Sequence, residues 1–383
     1  MDAELEIIAR SIQGAKYPED IFGNIPDGGM DERLACLKKE YFRLAKKTHP
    51  DTYTDDKIKK LAAEVFGKLT EFHGYAEDKI KNGIYGDRKK AATKSKTSGA
   101  LQVKTRRHLY LIGEPLGLGD LCNLYHCTYD QKGDWHKGVF KIVQDPRDSD
   151  LVENEGRVLK HLATDDKKGK EFQKYLPKLV ESFVAEGDSL KSRKHVNVLS
   201  FLDGFYSLVE VKGQYPNGVH PADMAWMWKR LLTVMGFVHA GSVIHGAVIP
   251  PHLMINPQNH GMVLIDWCYA LIDPSESNGK VKAISVDYEK LYAPEILAKK
   301  PPTPGSDIYM SAKSMIYILG GNVATGEMPK TVPETMRRFI KSCLIESPGR
   351  RSSDAWSLHD EFDELLRSLY GPPKFRPFFM PKK

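Results

Sequence analysis

Gly138-Val139-Phe140-Lys141-Ile142-Val143 is a short apolar run broken by one lysine. Its β-branched and aromatic content predicts a buried strand. Read alone, Lys141 is a strand-edge lysine. Residues 151–162, directly downstream, predict a helix that carries Glu153 and Glu155. Upstream, Tyr110-Leu111-Ile112 leads into Leu116-Gly117-Leu118-Gly119-Asp120-Leu121-Cys122-Asn123-Leu124-Tyr125, a strand-like run holding two glycines. Tyr206-Ser207-Leu208-Val209-Glu210-Val211 predicts another strand. From Asp223 the pattern turns helical, and Trp226, Trp228, Leu231, Leu232, Val234, Met235 and Val238 fill one long apolar helix.

The chain around this run has 383 residues, 41% of them apolar and 28% charged. Two or three domains fit at roughly 100–200 residues each. The composition excludes collagen-like and wholly disordered chains, and no apolar run reaches the roughly 18 residues that span a bilayer. The acidic start Met1-Asp2-Ala3-Glu4-Leu5-Glu6 does not read as a signal peptide. Cys36, Cys122, Cys127, Cys268 and Cys343 form no C-x-x-C, so reduced thiols and a cytoplasmic location are expected.

The formal charge of +6 is concentrated. Residues 1–85 carry 14 basic and 16 acidic side chains, residues 86–107 carry 8 and 1, and the rest carry 34 and 33. The basic segment is rich in Lys, Thr, Ser and Ala and has no aromatic residue, which predicts a solvated flexible linker over 86–105. About 20 such residues reach roughly 25 Å. Without a stacking group the segment is poorly suited to reading bases, so neither nucleic acid nor a membrane is the expected partner.

Before the linker, Leu34, Leu37, Tyr41, Leu44 and Ala45 recur at spacings of three and four and predict a helix over 30–48. Lys38, Lys39, Arg43, Lys46 and Lys47 make its other surface basic. Thr48-His49-Pro50 ends it, because proline disfavours helical geometry in the residue before it. After the polar loop Asp51-Thr52-Tyr53-Thr54-Asp55-Asp56, Thr54 or Asp55 caps a second helix. The apolar side of that helix is Ile58, Leu61, Ala62, Val65, Phe66, Leu69 and Phe72. The two make an antiparallel hairpin. Leu5, Ile8 and Ile12 predict a short extra helix, and Tyr17-Pro18-Glu19-Asp20-Ile21-Phe22-Gly23 another.

Over roughly residues 17–85 this pattern resembles a J-domain, on Tyr41-Phe42-Arg43-Leu44-Ala45-Lys46-Lys47-Thr48-His49-Pro50-Asp51 followed by the second apolar helix. The resemblance implies a co-chaperone that stimulates ATP hydrolysis by a DnaK-type chaperone. Lys39, Arg43, Lys46, Lys47 and His49-Pro50-Asp51 would contact that partner. A cationic helix face suits an acidic partner, mostly by raising the association rate. Taken alone, His49 is a solvated loop histidine.

Over roughly residues 106–370 the order of elements resembles the protein-kinase fold. Gly117 and Gly119 match the first two glycines of the phosphate-covering loop, with Cys122 at the third. Lys141 matches the lysine that pairs with nucleotide phosphates, and Glu155 its helical partner. Asp266-Trp267-Cys268 stands in place of Asp-Phe-Gly, and Ala293-Pro294-Glu295 matches the end of the activation segment. Asp307 resembles the aspartate that anchors the catalytic loop, and Arg350 or Arg351 the arginine that pairs with the glutamate of Ala-Pro-Glu. The fold class implied is multidomain. An all-α helical-hairpin J-domain with an N-terminal extension (1–85) precedes the linker (86–105). A two-lobed α+β kinase-like domain (106–370) comes next, then a Pro-rich tail (371–383) that packs on the larger lobe or stays loose.

The resemblance breaks at the catalytic loop. His-Arg-Asp-Leu-Lys-x-x-Asn is replaced by His245-Gly246-Ala247-Val248-Ile249-Pro250-Pro251-His252. Ala247 stands where the base belongs, Ile249 where a lysine belongs, and His252 where an asparagine would hold a second magnesium. No catalytic residue is therefore assigned. Losing a general base alone costs about 10²–10⁴-fold. Lys141, Glu155, Gly117 and Gly119 remain as nucleotide-binding candidates, and Asp266 as a metal ligand, so ATP and magnesium are possible ligands. Cys122 is expected to crowd the phosphates, Cys268 to stiffen the turn glycine would allow, Trp267 to pack, and His252 to be structural or a ligand.

The expected function is a J-domain co-chaperone with a catalytically impaired kinase-like module that binds nucleotide or an unidentified client or regulatory protein. The alternatives are an ATP-dependent transferase of kinase fold and unusual mechanism, and a nucleic-acid-associated scaffold.

Overall fold

The computed structural model describes residues 5, 8–9, 11–12, 15, 17–23, 25–26, 28–81, 83, 85–86, 101–118, 121–163, 167–185, 193–274 and 279–381. The chain divides into two units, Met1–Gly99 and Ala100–Lys383.

The first unit is helical, with α1 (Pro18–Phe22), α2 (Met30–Thr48) and α3 (Asp56–Lys81). Asp55 rather than Thr54 caps α3: its Oδ1 accepts the N–H of Lys57 at 2.9 Å and of Ile58 at 3.1 Å. The hairpin is antiparallel, since Arg33 reaches the Tyr85 carbonyl while Tyr41 meets Thr70. Leu37, Leu44 and Ala45 of α2 share one buried cluster with Val65, Leu69 and Ala76 of α3. Buried Glu19 takes Lys79 Nζ at 2.7 Å and the Gly86 N–H at 3.1 Å, fastening α1 to the chain beyond α3. Of the extra N-terminal helix, residues 5, 8–9 and 11–12 are described and helical, with Leu5 and Ile12 buried.

The second unit opens with an antiparallel sheet of β1 (Leu101–Lys104), β2 (Leu109–Leu118), β3 (Cys122–Gln131), β4 (Asp134–Val143), β5 (Leu179–Ala185) and β6 (Lys194–Ser200). The order is β1-β2-β3-β4-β6-β5. The end of the expected linker is thus a strand, paired from Leu101↔Ile112 to Lys104↔Leu109. The basic residues between 88 and 96 lie outside the described residues. Helix α4 (Ser149–Leu162) buries Val152, Glu155, Val158 and Leu159 on the side of β5 and β6. Neither β5 nor β6 was expected from the sequence.

Helices dominate the remainder of the second unit. The run expected as a strand over 206–211 is split into β7 (Tyr206–Ser207) and α5 (Leu208–Gln214). Ser207 is the reason: its hydroxyl accepts the Glu210 N–H at 3.2 Å while the Glu210 carboxylate accepts the Ser207 N–H at 2.7 Å. This capping box starts a helix, and Leu208 and Val211, three apart, form its buried face. The long helix expected from Asp223 is α6 (Pro221–Ala240). It packs with α7 (Pro304–Ile318) and α8 (Ala355–Tyr370) around one large core holding Trp228, Leu231, Met235, Met315 and Phe362. Two small sheets complete this part. One has β7 beside β9 (Leu253–Asn256) and β10 (Gly261–Leu264), and the other pairs β8 (Val243–Ile244) with β11 (Leu271–Ile272).

The Pro-rich tail packs on this helical part. Phe378 is buried against Tyr215, the Tyr215 hydroxyl donates to the Phe379 carbonyl at 2.8 Å, and Arg376 pairs with Asp223 at 2.9 Å.

Candidate functional site

Lys141 sits inside the sheet, paired with Leu124 on one side and Asn197 on the other. Its Nζ donates to Glu155 Oε1 at 2.9 Å and Asp266 Oδ1 at 2.8 Å. Glu155 is fully buried and both carboxylate oxygens are used: Oε1 also takes the Trp267 N–H at 3.2 Å, and Oε2 takes Asn197 Nδ2 at 2.9 Å. Buried charges persist only when paired and hydrogen-bonded in this way. Burial opposes the charged form of Lys141, but Asp266, Cys268 and Glu155 outweigh it and hold the ammonium well above its ordinary value. Burial also raises Asp266, yet Lys141 and then His252 hold its carboxyl well below the usual range. Asp266 keeps 30% of its side-chain exposure, so this is the charged group through which the cluster meets solvent.

The loop below is shaped by one carboxylate. Asp307 on α7 accepts the N–H of His245 at 2.8 Å, the N–H of Gly246 at 2.9 Å, and His239 Nε2 at 3.0 Å. His245 Nδ1 accepts the Ala247 N–H at 3.2 Å, which leaves the proton on Nε2, 3.0 Å from the Ile265 carbonyl. Burial therefore keeps this imidazole neutral and pushes its pKa down to about 4. Ala247 and Ile249 are fully buried in the apolar core. His252 Nδ1 lies 2.8 Å from the Ala247 carbonyl and so carries a proton. Its Nε2 lies 3.3 Å from Asp266 Oδ2, an attractive arrangement once a second proton or a cation is present. Further along the chain Arg351, not Arg350, pairs with Glu295, Nη1 to Oε1 at 2.7 Å.

Lys141, Glu155 and Asp266 are thus brought together. Gly117 lies in β2 opposite Leu124, where a Cβ would meet nothing within 4 Å. Gly119 lies outside the described residues. Cys122 borders the Lys141 cluster through Cys268. It is buried with Val143 and Val152, and its thiol hydrogen-bonds Cys268, which is also buried. Trp267 is packed as expected, fully buried with Nε1 on the Leu264 carbonyl at 2.9 Å. Ligand atoms of Glu155, Asp266 and Cys268 lie within 4.8 Å of one another, and the two carboxylates suit a hard, oxygen-seeking divalent ion.

Two asparagines escaped the sequence reading. Asn197 holds Glu155 and also the Val152 carbonyl at 2.8 Å. Asn154 donates to the carbonyls of Cys268 at 3.1 Å and Ala270 at 2.8 Å, tying α4 to the turn after Asp266. The signal for Asn197 was one amide inside the apolar run Val196-Asn197-Val198-Leu199.

In the first unit, Lys39, Arg43 and Lys46 are exposed and spaced by four and three, with Lys47 half-buried. His49 caps a single turn, Pro50–Thr52, its Nδ1 accepting the Asp51 N–H at 3.3 Å. Its ring meets Phe66 edge-on at 5.1 Å. The His49 side chain is 47% exposed and that of Asp51 78%.

No family model matches the chain. It is similar to the dual specificity protein kinase zak2 of Dictyostelium discoideum, with 29% identity over 132 residues, or 32% of this chain. The match covers 21% of that relative's length. This similarity supports a kinase-like region in the chain. Among the described residues no helix is long and apolar enough to cross a membrane.

Proposed function

We propose that the second unit is a nucleotide-binding module of protein-kinase type that has lost phosphotransfer. The observation that carries this reading is the convergence of Lys141 on Glu155 and Asp266, above a loop whose positions 247 and 249 hold only buried apolar groups. Lys141 would hold the phosphates of ATP, and Asp266 a magnesium ion bound jointly with them, as that ion prefers. Magnesium supplies charge neutralisation on the phosphates. Ala247 can neither orient a hydroxyl nor accept its proton, so binding and turnover are separated.

The first unit is, in the same proposal, a J-domain that recruits a DnaK-type chaperone. The exposed row of Lys39, Arg43 and Lys46, leading to the half-exposed His49 loop, supports this. The second unit would then present nucleotide state or a client to the chaperone. Five free thiols fit a cytoplasmic setting.

The deciding experiment incubates the full chain with ATP labelled at each phosphate in turn, with magnesium or manganese, beside Asp266→Ala. ATP binding without label transfer is expected. The proximity of His252 to Asp266 favours one second reading, a transferase of different chemistry. Label transfer that vanishes in Asp266→Ala would establish that reading and overturn the first.

A further inference from the structure

Away from the Lys141 cluster, α6, α8 and the folded-back tail line a half-open cavity of about 630 Å³. That size lies inside the roughly 300–1,000 Å³ of small-molecule sites. Five cationic side chains line it, Lys229, Arg230, Arg367, Lys374 and Arg376, against one carboxylate, Asp363. Asp363 takes both Lys229 and Arg367, and Asp223 holds Arg376. Arg230 reaches only the neutral Tyr175 hydroxyl, at 3.2 Å, and Lys374 is exposed. Neither meets a carboxylate among the described residues.

One wall of the cavity is an aromatic stack. Trp226 and His260 lie 4.1 Å apart with planes at 4°, and His260 and Phe375 lie 4.3 Å apart at 22°. Phe375 ends the stack and is 62% exposed, so the series of rings is open on that side. Trp226 Nε1 is buried and has no hydrogen-bond partner among the described residues. An indole N–H can only donate, so it adds a vacant donor to the two uncompensated cations.

We propose that this cavity binds a small aromatic anion, a planar ring bearing one phosphate or carboxylate. The ring extends the Trp226-His260-Phe375 stack, and the anion is held by Arg230 and Lys374. Offset stacking and charge-assisted hydrogen bonding supply the two halves of the recognition. The site needs the tail, because Lys374 and Phe375 come from it.

The test is a fluorescence titration of the full chain with 1-anilinonaphthalene-8-sulfonate, an aromatic anion, beside the uncharged N-phenyl-1-naphthylamine. Phenyl phosphate is the competitor. The double variant Arg230→Ala/Lys374→Ala is expected to bind the sulfonate about tenfold more weakly, the scale of a lost charged hydrogen bond. It should bind the uncharged probe as the parent does. Arg230→Lys, which keeps the charge, should retain most of the affinity, and Phe375→Ala should weaken both probes. Equal sulfonate binding by parent and double variant, or no displacement by phenyl phosphate, would overturn the proposal. Loss of the probe in Lys141→Met would also overturn it, by assigning the probe to the Lys141 cluster. ATP binding measured in the same variants reports on the nucleotide reading separately.

Discussion

Arg351 Nη1 lies 2.7 Å from Glu295 Oε1, and both side chains are almost wholly buried. Arg351 also donates to the carbonyls of Gly305, Ile345 and Glu346, while Ser306 completes Glu295. One guanidinium therefore ties the Ala293-Pro294-Glu295 turn to the start of α7 and to the loop before α8. Arg351→Ala would leave Glu295 buried without its counter-charge and is expected to cost about 3–5 kcal/mol. Urea denaturation measures it, and a loss under about 1 kcal/mol would mean the pair is not a structural tie.

His245 makes stability fall in acid. Its folded pKa is depressed to about 4 by burial, with His252 adding to that and Asp307, the Ile265 carbonyl and Asp266 opposing. Between about 6.5 and about 4 the unfolded chain binds the proton and the folded chain does not. Stability is therefore lost as pH falls through that window and levels off below it, by up to about 3 kcal/mol from this group. The difference between parent and His245→Asn, followed by denaturation across pH 4–7, should shrink as the pH falls. A pH-independent difference would show that the imidazole is not neutral and buried in solution.

Lys141→Met should abolish ATP binding while leaving the fold cooperative. It removes the cation that meets Asp266 and strands Glu155 with Trp267 and Asn197 as its remaining donors. Calorimetric titration with ATP and magnesium is expected to show a loss of at least about tenfold. Retained affinity would place the nucleotide away from Lys141.

His49→Gln should remove stimulation of a DnaK-type ATPase without altering the melting temperature of the chain. The ring is half-exposed and meets Phe66 edge-on. A fall in melting temperature equal to that of a core substitution would mean that His49 is structural instead.

Gly218 has φ +97°, and a Cβ there would lie 2.2 Å from the Leu319 carbonyl oxygen. The obstacle is backbone and cannot rotate away. Gly218→Ala is expected to destabilise the second unit by several kcal/mol, about 3 or more. A neutral change in thermal melting would show that the two loops separate easily.

Much of the architecture was legible because period and caps agree with packing. The two long helices of the first unit and α4 each carry an apolar stripe, α6 is apolar on nearly every side, and β4 ends in the apolar run Val139-Phe140-Lys141-Ile142-Val143. The errors have local causes. At Ser207 two hydrogen bonds with Glu210 outweigh β-propensity, which is a weak preference. Strands β5 and β6 were missed because Glu181, Ser182, Lys194, His195 and Asn197 dilute the apolar signal, and some of those polar groups are satisfied only by partners far along the chain. Lys141, Glu155 and Asp266 could be named from their order, yet the direction of Cys122 could not. Only the register of β3 sets its thiol between Val152 and Cys268, at the border of the Lys141 cluster. The cavity beside Trp226 was invisible because it depends on where a proline-rich tail comes to rest.

Ala247 has a consequence for any attempt to rebuild the missing chemistry. The loop around it is held by Asp307, and the methyl group itself has no exposure. An aspartate placed there would carry its charge into an apolar enclosure near a second carboxylate, and such a group either forces the loop open or takes up a proton. In either case the reversion supplies no working base. In the proposed reading the missing base is latched out by packing, and a designer seeking to restore it has to recut the surrounding core before changing residue 247.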